Sequence, residues 1–142
     1  GLATDSFFAQ VGVGGYKPSS FDSVEILTKK EYDTYFSRAR GVIAHAGIGT
    51  IAMALEQRKP ILVMPRLASL DEVVSNHQVA TAKRFAELGH VIAAMNADQL
   101  KSSINQIESF TPKPWESGAA SMSDRISQFL HRCEIKSRKS SG

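Results

Sequence analysis

Short apolar runs alternate along this chain with stretches in which apolar residues recur every three or four positions. The runs at residues 7–13, 24–27, 42–44, 61–64 and 91–94 are of strand length and rich in Val, Ile and Phe, so they predict five strands. The first ends among Gly12, Gly14 and Gly15. Thr28 followed by Glu31 forms a capping box that opens a helix, with Tyr32, Tyr35, Phe36 and Ala39 along one face. Further helices are predicted over 51–58 and over 77–88, the latter stopped by Gly89. Asn96 caps a helix carrying Leu100, Ile104 and Ile107. After a break at 111–118, a last helix shows Ile126, Phe129, Leu130 and Cys133 on one side.

Strands that are apolar throughout and separated by helices imply a parallel sheet covered on both faces, the doubly wound α/β arrangement. Ligands in such sheets lie beyond the carboxyl ends of the strands, so the strand-to-helix loops are where chemistry is sought. A chain of 142 residues is the size of one domain, expected over 1–135 with a basic flexible tail at 136–142. Apolar residues at 42% and charged residues at 22% exclude a disordered chain, and no apolar run approaches the roughly 20 residues of a membrane span. One cysteine, Cys133, and the lack of a charged-then-apolar leader before the first strand point to a cytoplasmic protein. Much of the net charge of +3 sits near the end, in His131, Arg132, Lys136, Arg138 and Lys139 against Glu134. Two readings stand: a frayed solvated tail, or attraction to an anionic membrane face. Aromatic residues that could stack bases are missing from that stretch, so nucleic acid is not an expected partner.

The loop His45-Ala46-Gly47-Ile48-Gly49-Thr50 joins the predicted strand at 42–44 to the helix that follows. Two glycines let a ligand approach the backbone, and the free amides and partial positive charge of a helix start attract phosphate. Glycines needed only to make a tight turn are the alternative. Walker and Rossmann patterns do not match: no Gly-Lys-Ser/Thr follows, and the earlier glycines at 12, 14 and 15 lead into Tyr16-Lys17-Pro18 rather than a helix. Beyond the fourth strand, Pro65 and Arg66 open a polar loop that runs through Asp71 and Glu72 to Ser75, Asn76, His77 and Gln78. Its polar groups would face the same crevice, or Ser75 or Asn76 simply caps a helix. His45, His77, His90, His131 and Cys133 show no metal-ligand spacing, so no metal is expected. His90 reads as a loop residue. Trp115 reads as an anchor of its loop to the core, with ligand stacking as the other reading.

The run VIAHAGIGTIAMALEQRKPILVMPR, followed by SNHQVATAKRFAELGH, resembles the carboxyl-terminal domain of family 28 glycosyltransferases of the GT-B class. It is most similar to the small donor-binding subunits of split enzymes, those of exopolysaccharide synthesis and of the dolichol-linked oligosaccharide pathway. The resemblance implies a Rossmann-like half of a GT-B fold that binds a UDP-sugar. Gly47, Ile48, Gly49 and Thr50 then meet the diphosphate with His45 beside them, while Asn76, His77 and Gln78, with Arg66 and Glu72 before them, address the sugar. No metal or other cofactor is required in that class, because helix amides stabilise the leaving UDP. The implied activity is hexosyl or N-acetylhexosaminyl transfer with inversion to a lipid-linked saccharide. The catalytic base is expected from a membrane-associated acceptor-binding subunit, without which this chain is expected to be inactive, and which would hold it at the cytoplasmic membrane face.

Three departures from that pattern carry expectations of their own. Met53 stands where many relatives hold the ribose with a glutamate; Glu56 lies one turn further on, as a substitute or as a solvated surface residue. The family's first strand, glycine loop and helix are not in this sequence, and Gly1, Leu2 and Ala3 read as the end of that helix. Because the absent strand is central in such sheets, a gap between two halves is expected unless the remaining strands close up or borrow a partner's strand in a homo-oligomer, and donor binding is expected to be weakened. The acceptor domain is also absent, and residues 123–139 are candidates for contacting a partner, with packing on the sheet as the alternative. Two competing functions follow: a non-catalytic interaction module, and a fragment similar to UDP-N-acetylglucosamine 2-epimerases, which share the GT-B architecture.

Overall fold

The computed structural model describes residues 7–66 and 77–115, together with Asp124 and Gln128, both helical. Gly1, Leu2, Ala3, Glu72, Asn76, Ile126, Phe129, Leu130, Cys133 and the basic tail lie outside the described residues. The chain divides into two compact units, Gly1–Ala39 and Arg40–Gly142.

In the first unit, β1 (Phe8–Gln10) pairs in parallel with β2 (Asp22–Val24), Phe8 opposite Asp22 and Gln10 opposite Val24. β1 is shorter than its apolar run because Gly12 and Gly14 adopt φ of 80° and 69°, and the Gly15 amide closes a turn on the Gly12 carbonyl. Ladder-like bonds nonetheless continue past the strands, from the Val11 amide to the Val24 carbonyl and from the Gly12 amide to the Glu25 carbonyl. That explains why the apolar pattern placed the second strand at 24–27, two residues beyond its observed start. Helix α1 (Lys29–Arg38) opens on the expected capping box. The Thr28 hydroxyl accepts from the Glu31 amide, and the Glu31 carboxylate accepts from the Thr28 amide at 2.8 Å. Phe36 is its buried anchor, and Tyr35 stacks on Phe8 with ring centroids 4.0 Å apart.

The second unit holds a three-stranded parallel sheet in the order β3 (Val42–Ala44), β4 (Ile61–Val63), β5 (Ile92–Ala93). Helix α2 (Ile48–Glu56) connects β3 to β4, and α3 (His77–Glu87), which packs along β5, precedes that strand. Ile61, Leu62 and Val63 point alternately to opposite faces, yet all are at 0% exposure, so β4 is covered on both sides. Ile51 and Ala54 of α2 and Ala82 and Phe85 of α3 reach the same degree of burial and complete the core. The parallel α/β architecture read from the sequence is therefore what the strands adopt; the described strands form two sheets, of two and three strands.

Both central helices end in the same way. At α2 the Lys59 amide reaches the Ala54 carbonyl and the Arg58 amide the Leu55 carbonyl; at α3 the pairs are His90 to Phe85 and Gly89 to Ala86. These are Schellman motifs, which need a left-handed residue, supplied by Gly89 (φ 77°) in one and by Arg58 (φ 53°) in the other. Asn96 caps α4 (Ala97–Ser103) by accepting from the Gln99 amide, and a 3-10 turn follows over Ile104–Gln106.

The chain after α4 folds back on the end of α3. The Lys113 amide donates to the Gly89 carbonyl, and His90 Nδ1 lies 3.0 Å from the Lys113 carbonyl. Trp115 then stacks on Phe85 with centroids 5.5 Å apart and lies 4.9 Å from the His90 ring. Trp115 is thus the anchor expected of it. His90 is more than a loop residue: it is 8% exposed and joins Phe85 and Trp115 in one aromatic cluster. No apolar periodicity marks a lone histidine after a glycine, so the sequence pattern gave no sign of that burial.

Candidate functional site

Because β3 and β4 run in parallel, the residues that follow them emerge on the same edge of the sheet. His45 follows β3 directly and Met64, Pro65 and Arg66 follow β4, with the Met64 amide still bonded to the Ala44 carbonyl. Ala46 is buried at 3% exposure and pins the turn between strand and helix. Gly47, with φ −79° and ψ 131°, is the N-cap of α2, and its amide donates to the His45 carbonyl at 2.8 Å. The helix begins at Ile48, three residues before the predicted start, because Gly47 already has cap geometry.

The amino end of α2 differs from those of α1 and α4. Thr28 and Asn96 cap those helices with side-chain oxygens, whereas Gly47 has no side chain to offer and the first turn of α2 carries no acidic residue. The amides of Ile48, Gly49 and Thr50 precede the first i−4 acceptor of the helix, so together they form a patch of partial positive charge. The two glycines have different reasons to be there. A Cβ on Gly47 would fall 2.5 Å from His45 Nε2, so the imidazole lies over this position. Among the described residues a Cβ on Gly49 would meet nothing within 4 Å outside its own helix, so their packing does not demand glycine there.

Arg66 supplies the positive charge closest in effect to His45. Partial withdrawal of the imidazole from water, and secondly the repulsion of Arg66, hold His45 below the usual histidine range, although the residue remains exposed. The backbone of Arg66 is itself fixed: its amide donates to Gln78 Oε1 at 3.0 Å. His77, the first residue of α3, is exposed, and its carbonyl accepts from the Thr81 hydroxyl at 2.8 Å. The fold thus gathers His45, Gly47, Ile48, Gly49 and Thr50 at one loop, and ties Arg66 to Gln78 beside it. Glu72 and Asn76 lie outside the described residues. Met53 is half-buried within α2, while Glu56 is exposed at its end. The sequence reading missed the Gln78 link to Arg66, because a hydrogen bond across twelve positions to a backbone amide leaves no residue-type signature.

The model of the glycosyltransferase family 28 C-terminal domain matches residues 5–132. Among curated proteins, the chain is 40% identical over 76 residues to the UDP-N-acetylglucosamine transferase subunit ALG13 of Eremothecium gossypii, covering 51% of this chain and 36% of that protein. It is 30% identical over 95 residues to the subunit of the same name from Debaryomyces hansenii, covering 64% of this chain and 43% of that one. The chain therefore matches less than half the length of either relative. A solution NMR structure of ALG13 is 27% identical, with 78% of this chain and 50% of that one covered and a TM-score of 0.49. With its His-Ala-Gly-x-Gly-Thr loop folded as an open helix start and the family match running over nearly all of its length, the chain belongs to the glycosyltransferase family 28 C-terminal domain family.

Proposed function

We propose that this domain binds the diphosphate of a UDP-sugar at the amino end of α2 and serves as the donor-binding subunit of an inverting glycosyltransferase. The observation that carries the reading is that a Cβ on Gly49 would meet no atom within 4 Å among the described residues, at a helix start with no side-chain cap. Glycine there is unexplained by packing among the described residues and explained by a ligand that needs the backbone close. UDP-N-acetylglucosamine is the donor that the names of the two fungal relatives suggest.

In the reaction, an acceptor hydroxyl oxygen bonds to the anomeric carbon of the sugar as the bond from that carbon to the diphosphate oxygen breaks. The hydroxyl proton passes to a base, assigned here to a partner subunit that also presents a lipid-linked saccharide. The developing charge on UDP falls on the amides of Ile48, Gly49 and Thr50 and on Arg66, donors already in place before reaction, the arrangement that lowers such barriers most. The family resemblance assigns Asn76, His77 and Gln78 to the sugar. No metal or cofactor enters this scheme.

Calorimetric titration of the chain with UDP-N-acetylglucosamine, UDP-glucose and GDP-mannose tests the reading. Binding of the two uridine donors with GDP-mannose excluded is expected. Equal binding of all three, or of none at millimolar ligand, contradicts it. Co-expression with a membrane-associated acceptor subunit is expected to yield transfer of N-acetylglucosamine to a lipid-linked saccharide, and no transfer from the chain alone.

A further inference from the structure

Gln78 belongs to the Asn-His-Gln run that the family resemblance directs at the sugar, yet its carboxamide already has a partner. The Arg66 amide donates to its Oε1 at 3.0 Å. That bond fixes which way the carboxamide faces, since turning it over would set its NH2 group against another N–H. It also joins Arg66, three residues past the end of β4, to the second residue of α3.

We propose that Gln78 is a positioning residue: its Oε1 fixes the Arg66 backbone at the carboxyl edge of the sheet, so that Arg66 presents its charge to the diphosphate, rather than the carboxamide reading the sugar. The inference rests on the donor-site reading and sharpens it by moving one residue from sugar recognition to phosphate recognition. Two further observations agree with it. Arg66 follows Pro65, which is buried and fixes its own φ, so a bond at the Arg66 amide sets where the side chain starts. The charge of Arg66 is also felt by His45, whose ring lies over Gly47 at the start of α2.

The test compares Gln78→Leu, which removes the acceptor, with Gln78→Glu, which keeps it. UDP and UDP-N-acetylglucosamine serve as probes, and the Arg66 amide and the His45 ring are followed by NMR. In Gln78→Leu both ligands are expected to weaken by the same factor, about tenfold, the loss typical of one directed hydrogen bond. The temperature coefficient of the Arg66 amide should rise to that of a solvent-bonded amide and return to the wild-type value in Gln78→Glu. His45 should titrate nearer the ordinary histidine range in Gln78→Leu, and this change should vanish when Arg66→Gln is already present. Weakened binding of UDP-N-acetylglucosamine with UDP unchanged would show that Gln78 reads the sugar and overturn the proposal. An unaltered Arg66 amide in Gln78→Leu would overturn it as well. A wild-type chain that binds neither ligand overturns the donor-site reading, and the clip between Gln78 and Arg66 is then judged by the two NMR readouts alone.

Discussion

The imidazole of His45 lies over the backbone of Gly47, with Nε2 only 2.5 Å from the place a Cβ would occupy. The histidine and the glycine two residues later are therefore one unit: the glycine makes the floor on which the ring rests at the start of α2. Two positions on, a Cβ on Gly49 would meet nothing within 4 Å among the described residues.

Alanine at these two glycines is expected to weaken the ligand by different routes. Gly47→Ala displaces the His45 ring and lowers affinity for UDP-N-acetylglucosamine, with a shifted His45 ring signal as the sign of the displacement. Gly49→Ala replaces glycine inside a helix and should leave the free protein as stable or more stable, by about 0.5 to 1 kcal/mol. It should nonetheless weaken the ligand at least tenfold, because the new methyl enters the space assigned to phosphate. Thermal melts with and without ligand read both effects, and unchanged binding by Gly49→Ala would remove the main support for the site.

Acidity gives a second handle. Burial first, and Arg66 second, lower the His45 value from 6.5, so the folded chain favours the neutral ring. A diphosphate favours the charged ring, and binding is therefore coupled to proton uptake. Affinity for UDP-N-acetylglucosamine, whose own diphosphate keeps its charge in this range, should tighten as pH falls through 6.5 toward the lowered folded value. Stability of the free protein moves the other way: the His45 contribution is present above 6.5 and is lost as pH falls below it, since the unfolded chain takes the proton more readily. Both trends should flatten in His45→Gln relative to wild type. Parallel pH profiles for the two proteins would show that His45 has no part in either.

Arg58 holds the left-handed position of the Schellman motif after α2, at φ 53°, where Gly89 serves the equivalent place after α3. A side chain there costs about 1 kcal/mol. Arg58→Gly should accordingly raise stability to chemical denaturation by up to that amount without altering ligand binding, and a loss of stability would mean that the Arg58 side chain makes up for its own strain.

Gly41 precedes β3 against the Ile107 side chain, which a Cβ would overlap. Gly41→Ala is expected to destabilise by about 1–3 kcal/mol as overpacking does, and Gly41→Ala combined with Ile107→Leu, which has no Cγ2 branch at the point of overlap, should recover part of the loss. Urea melts of the single and double variants measure it.

How much of this was legible in advance depends on the range of the signal. The Thr28 and Glu31 capping box, the Asn96 cap and the stop at Gly89 are written in residues three or four apart, and each is present as read. Strand limits were blurred, because Gly12 and Gly14 turn the chain by backbone conformation, not by polarity. The glycine loop was legible as a helix start, but not the different roles of its glycines, which depend on where the His45 ring lies. The Gln78 bond to Arg66 and the burial of His90 under Trp115 join residues 12 and 25 positions apart through backbone atoms or ring faces, and residue types alone do not encode such contacts.

The most direct test of the donor-site account is a two-dimensional NMR titration of the isotopically labelled chain with UDP-N-acetylglucosamine. Saturable shifts are expected at the amides of Gly47, Ile48, Gly49, Thr50 and Arg66 and at the His45 ring, with α1 and α4 unchanged. Saturable binding that leaves those amides unmoved, or no saturable shifts at millimolar ligand, would contradict it.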